Sequence, residues 1–242
     1  MRFTIKPERG DDLVLHEKSY KTGDVGYWLM SSRLRGWFET PAAREQPTAG
    51  ATTDGDWWPV RLTQGARVLT IPGLADCVSS IEANRLIDNL NALFGQNLTV
   101  VGETAGGTRM VTGYMSDSPT ITVYADHTTV EFDLTITCPD PLMYGKLKRI
   151  TPVSNYFKVL NEGNVSVWPA FEVTGATYFR VEVGDQAVSW SGSGDLVLDF
   201  ADMQPNVGTV GVDNAFSIVP GMSYIQVATD GQATCLFRSA WR

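Results

Sequence analysis

Apolar and polar residues alternate without a slip over residues 130–136 (Val-Glu-Phe-Asp-Leu-Thr-Ile), which turns every second side chain toward a core and predicts a half-buried β-strand. Residues 60–71 alternate on both sides of Gln64-Gly65, the pattern of a hairpin that turns there. Residues 26–38 (GYWLMSSRLRGWF), 98–101, 109–115 and 120–124 read as further strands. One stretch follows another period. Ala83, Leu86, Ile87, Leu90, Leu93 and Phe94 recur at intervals of three and four, so a helix over 80–94 presents one apolar stripe to a sheet. Ser79, with Glu82 three positions on, forms a capping box at its start, and Gly95 supplies a left-handed stop.

The two prolines of Cys138-Pro139-Asp140-Pro141 end sheet pairing, and the basic stretch 145–149 reads as a connector, which puts a domain boundary near Ile150. Beyond it the helical period is absent. Short strands are expected at 156–160, 169–174, 179–183, 187–190, 195–200, 215–218, 223–228 and 234–240. Turn signals such as Glu162-Gly163-Asn164, Gly184-Asp185 and Asp230-Gly231 separate them. Close-spaced short strands describe a β-sandwich. The expected class is therefore mainly β: a β-rich domain over 1–150 with one packed helix and a long loop, then a β-sandwich over 151–242. The loop, 39–59, is rich in Pro, Gly, Ala and Thr and ends at Trp57-Trp58. Loops of that length inside a compact domain are either functional or disordered.

Composition narrows the function classes. Of 242 residues, 43% are hydrophobic and 19% charged, enough apolar material for real cores. Nineteen Lys and Arg against 27 Asp and Glu leave a net charge of −8, which repels phosphate backbones and disfavours nucleic-acid binding. The arginines (Arg2, Arg33, Arg35, Arg44, Arg61, Arg67) are scattered and read as solvated strand-edge charges. Cys77, Cys138 and Cys235 are far apart and odd in number, the pattern of reduced, individually buried thiols made in a cytosol. The N-terminal stretch has no apolar run of signal-peptide type and nothing later reaches a membrane-span length, so neither secretion by that route nor membrane embedding is expected.

Candidate chemistry is sparse. His16 and His127, the two histidines, lie near no nucleophile elbow and are expected to be solvated. The cysteines and histidines never cluster as zinc ligands do. Two carboxylates converging across a sugar would make a glycosidase, but no spacing in the sequence points to such a pair. No catalytic residue, cofactor or metal is assigned. The seven tryptophans suit either sugar stacking, with Trp57 and Trp58 at the loop end, or packing. Trp28, Trp37, Trp168, Trp190 and Trp241 lie in or beside strands and are expected to be buried.

The order of these elements resembles a known family. Gly65–Gly73 (Gly-Ala-Arg-Val-Leu-Thr-Ile-Pro-Gly), the capped helix with Arg85 and Leu86, and the strand running into Cys138-Pro139-Asp140-Pro141-Leu142-Met143-Tyr144-Gly145 resemble the N-terminal domain of siphophage distal tail proteins. Asn161-Glu162-Gly163-Asn164 leading to Trp168-Pro169-Ala170-Phe171 is similar to the start of that family's C-terminal galectin-like sandwich. The stretch 219–225 and the ending Phe237-Arg238-Ser239-Ala240-Trp241 look like its closing strands, especially in minor tail proteins of actinobacterial phages. The resemblance implies a virion structural protein at the distal end of a long non-contractile tail, made in the host cytoplasm. Its ring, commonly a hexamer, joins the tail tube protein to the distal hub or baseplate and to receptor-binding proteins. The loop 39–58 would be an arm reaching a neighbouring subunit, with Glu39, Thr40, Arg44, Trp57 and Trp58 as its contact residues. The alternative is a lectin-like protein whose galectin-like domain recognises cell-wall glycans.

Overall fold

The computed structural model describes residues 1–17, 25–44, 48–49, 54, 56–57 and 63–242. It divides into two compact units, Met1–Met143 and Tyr144–Arg242.

The first unit contains β1 (Arg2–Pro7), β2 (Leu13–His16), β3 (Gly26–Leu29), β4 (Thr48–Ala49), β5 (Asp56–Trp57), β6 (Arg67–Asp76), α1 (Ser80–Ala92), β7 (Asn97–Thr104), β8 (Gly107–Met115), β9 (Thr120–Val123) and β10 (Thr129–Cys138), with β11 (Met143–Tyr144) at its end. The main sheet runs β8-β7-β1-β2-β3-β6-β10-β9. Strand β10 also pairs with β8, through Ile136 opposite Met115 and Thr137 opposite Tyr114, so the path returns on itself and closes a barrel. Closure removes the unpaired edges that an open sheet would expose. Its pairings are antiparallel except β2 with β3, which meet at His16 and Trp28 in parallel.

Alternation places the core. On β10, Val130, Phe132, Leu134, Ile136 and Cys138 are buried while the residues between them are half-buried, as the sequence pattern predicts. Leu134 and Ile136 lie opposite Ile71 and Leu69 of β6, which are buried as well, and Phe3, Ile5, Leu98, Val100 and Val111 of the other barrel strands are buried too. The helix forms where expected. Ser79 Oγ accepts from the Glu82 amide at 3.3 Å, while the Glu82 carboxylate accepts from the Val78 amide at 3.0 Å, one residue before the cap. Ala83, Leu86, Leu90 and Leu93 turn inward, but Phe94 is exposed. The helix has already ended at Leu93, so helical spacing no longer aims residue 94 at the sheet. A second departure concerns Gln64-Gly65. Gln64 bridges Ala43 instead of turning, and β6 runs as one strand paired with β10 and β3.

The second unit contains β12 (Lys148–Ile150), β13 (Tyr156–Asn161), β14 (Ala170–Val183), β15 (Gln186–Asp199), β16 (Thr209–Asp213), β17 (Gly221–Thr229), β18 (Gln232–Phe237) and β19 (Ala240–Trp241). The four short strands expected between 169 and 200 are two long ones. Strands β14 and β15 pair along their length, with register shifts around Ala176. The first half of β14 (Ala170 to Thr174) pairs with β18 and the second half (Phe179 to Glu182) with β17. One layer is thus β12-β18-β14-β15 and the other β13-β17-β14-β15-β16, with β14 and β15 running through both. Phe157, Phe171, Phe179, Phe200 and Phe216 fill the space between, with neighbouring ring centroids 5.0–5.7 Å apart. Trp190 is buried, its Nε1 donating to the Val207 carbonyl at 2.6 Å. Trp168 is exposed, against expectation: Val167 pairs with Ile218 and faces inward, so its neighbour must face out. Lys148 and Arg149, the end of the stretch 145–149 read as connector, pair together with Ile150 against Phe237, Leu236 and Cys235 and so belong to this unit's sheet. Lys148 Nζ also bonds the Leu160 carbonyl of β13 at 2.8 Å, covering part of that strand's edge with charge.

Candidate assembly site: the root of the long arm

The chain leaves the barrel between Leu34 and Glu39, and each residue there has a distinct role. Leu34 is buried, and Arg35 bridges Thr70 of β6. At Gly36, φ is +79°, and a Cβ would stand 1.9 Å from the Val68 carbonyl oxygen, so only glycine passes here. Trp37 is buried, its ring edge-on to Phe3 with centroids 4.7 Å apart. Phe38, next in alternation, is exposed.

Beyond this root, the outgoing and returning chains pair. The Gly65 amide donates to the Ala42 carbonyl at 2.9 Å, the Arg44 amide donates to the Thr63 carbonyl at 2.7 Å, and Ala43 bridges Gln64. Further out β4 and β5 pair, Thr48 opposite Trp57 and Ala49 opposite Asp56. The described part of the arm is therefore paired antiparallel at two places, around Ala43 with Gln64 and in β4 with β5.

Of the predicted arm residues, Glu39, Thr40 and Arg44 are exposed at the inner end of the arm. Trp57 contributes backbone pairing in β5, and Trp58 lies outside the described residues. Arg67, read from the sequence as a solvated strand-edge arginine, is instead almost fully buried, at 1% exposure. Its Nε donates to the Pro141 carbonyl at 2.8 Å, and Nη1 donates to the carbonyls of Glu39, at 2.8 Å, and Gly36. Burial lowers its pKa from the ordinary arginine value, nearby Cys138 and Glu39 oppose this, and Arg109 adds to it. A guanidinium nevertheless stays charged in any protein setting. The signal was present in the pattern: Arg67 is in phase with Leu69 and Ile71, which both point inward.

Elsewhere, Arg33 binds two carboxylates of β10, Glu131 and Asp133, and the Tyr124 hydroxyl donates to Glu131 at 2.7 Å. Hydrogen bonds from Tyr124 and then Arg33 hold Glu131 below the usual carboxylate range. His16 is exposed at the end of β2, and His127 is exposed in a turn with φ 59°. Among the described residues no group of His, Cys, Asp and Glu is placed to hold a metal ion. No helix among them is long and apolar enough to cross a membrane.

The fold is that of phage distal tail (Dit) proteins. The crystal structure of SPP1 Dit, described as a paradigm of hub adsorption apparatus in phages infecting Gram-positive bacteria, matches with a TM-score of 0.71 at 16% identity, over 99% of each chain. A chain of the phage P2 baseplate in its activated conformation with Ca matches with a TM-score of 0.52 at 10% identity, over 98% of each. Its Sr counterpart gives 0.50 at 9% identity, again over 98% of each. The sequence matches no family model and no curated protein. The likeness is one of fold, and it does not reach the narrower resemblance to actinobacterial phages.

Proposed function

We propose that this chain is a structural subunit of the distal end of a long non-contractile phage tail. Copies of it close into a ring, six in number, that joins the tail tube to the distal hub or baseplate and to host-attachment components. The second unit is the galectin-like sandwich of such subunits, and the protein does its work by assembly without catalysing a reaction. The observation that carries this reading is the match to SPP1 Dit over 99% of both chains, so that both units fall within the likeness and not one alone. A closed ring needs two unlike surfaces on each subunit related by a rotation that closes. The arm 39–58, with Glu39, Thr40, Arg44, Trp57 and Trp58, supplies one of them by reaching a neighbouring copy. Electron microscopy and mass photometry of the purified chain test this. Discrete closed rings are expected; a sample that stays monomeric at high concentration, alone and with tail tube protein, would sink it.

A further inference from the structure

Arg67 is a cation buried among backbone carbonyls. Among the described residues no carboxylate bonds to it, and its Nη2 finds no hydrogen-bond partner. Burying a guanidinium is costly, and a purely apolar core position would be filled more stably by an apolar residue. What the arginine provides is geometry. Its planar fork joins the departing segment, at Gly36 and Glu39, to Pro141, two stretches that share no backbone pairing among the described residues. Gly36 and Glu39 lie where the chain departs into the arm, Arg67 itself lies where it returns, and Pro141 follows the end of β10. Gly36 and Glu39 are three residues apart, so two bonds from one nitrogen fix both the position and the direction of the departing segment. Pro141 ties that segment to the barrel, because β10 is paired along its whole length with β6.

We infer that Arg67 is the positioning residue of the arm, a pin whose three carbonyl contacts set the direction in which the arm leaves the barrel. The role in assembly rests on the reading of 39–58 as an inter-subunit arm; the role at the root does not. Arg67→Met keeps length and removes the donors, leaving the Gly36, Glu39 and Pro141 carbonyls without them. Arg67→Lys keeps charge but offers a compact ammonium in place of the fork.

Hydrogen exchange on the full chain tests the pin. The reporters are the Arg44 and Gly65 amides, which bond across the arm root to Thr63 and Ala42. The control is the Cys77 amide, which bonds Thr128 at 3.0 Å beyond the far end of β6. In Arg67→Met the two reporters are expected to exchange about tenfold faster or more, with Cys77 unchanged, and in Arg67→Lys to fall between. Unchanged reporters in both variants overturn the inference. So does equal acceleration at Cys77, which would make Arg67 an ordinary contributor to barrel stability. If Arg67→Met does not fold, the Arg67→Lys pattern decides by the same criteria. Ring closure is scored separately: loosened reporters with normal rings uphold the pin and count against the arm as the inter-subunit contact.

Discussion

Gly102 of β7 touches the indole of Trp37 so closely that a methyl group built on it would reach within 2.3 Å of a ring carbon. Gly102 also lies opposite Phe3 in the β1–β7 ladder, and Phe3 meets the Trp37 ring from another side. The tryptophan that closes the arm root is thus seated on a glycine and a phenylalanine of two neighbouring barrel strands.

Substituting that seat should be felt at once. Gly102→Ala is expected to destabilise the first unit by about 1–3 kcal/mol, the usual effect of overpacking a filled core. Urea unfolding followed by tryptophan fluorescence measures it; a change within experimental error would mean that Trp37 moves freely.

Removing residues 40–56 should separate folding from assembly. The barrel ladders β1 with β7 and β6 with β10 do not involve this segment, so the variant is expected to keep its circular dichroism and a cooperative thermal transition. On the proposed reading, mass photometry should show rings for the full chain and monomers for this variant. Normal rings would remove the arm from the interface.

In the second unit the aromatic cluster sets the scale of stability. Phe171 touches Phe157, Phe179 and Phe200, at centroid distances of 5.7, 5.3 and 5.0 Å. Phe171→Ala should cost about 3–5 kcal/mol, as for other buried phenylalanines. Its effect is read from the denaturant midpoint of that unit, for which an isolated fragment or a unit-specific probe serves.

A turn carboxylate gives a pH signature. Asp126 accepts from the Thr129 hydroxyl at 2.6 Å and from the Thr129 and Thr128 amides at 3.0 and 3.1 Å, which pull its pKa down to about 2. An unfolded aspartate titrates near ~3.9. The folded value is the lower one, so these bonds favour the folded state fully above that pH and lose their effect as the pH falls toward 2. The stability difference between the natural protein and Asp126→Ala should shrink over that window. A difference constant from pH 6 to pH 2 would contradict the assignment.

The thiols should be silent until the protein unfolds. Cys77, Cys138 and Cys235 are all buried, and burial pushes Cys138 up to about 11 and Cys235 up to about 12. A thiol reagent at pH 8 is expected to modify none of these in the native state and all three in denaturant. Rapid native reaction at Cys138 would show that the barrel opens beside Arg67.

What could be read from the sequence was local. The Ser79 cap, the helix stripe as far as Leu93 and the strand 130–136 are each set by neighbours within a few residues, and each stands where the pattern puts it. Expectations failed where distant partners decided. Gln64-Gly65 looks like a turn, yet Gln64 is claimed by Ala43 across the arm. The strands expected between 169 and 200 are fused because β17 and β18 each take half of β14. Trp168 faces out because Ile218 fixes the orientation of Val167. At the arm root, composition marked the long loop, but nothing near Arg67 revealed the carbonyls of Gly36, Glu39 and Pro141. Only its phase with Leu69 and Ile71 hinted that this cation points inward.

Strands β14 and β15 have a mechanical consequence. Because the same two lengths of backbone run through both layers, sliding one layer over the other would have to stretch or bend covalent chain. Peeling β18 away leaves β14 still anchored by β15 and β17. A pull applied to one face of the sandwich is therefore carried to the opposite face through the covalent chain of β14 and β15 as well as through hydrogen bonds.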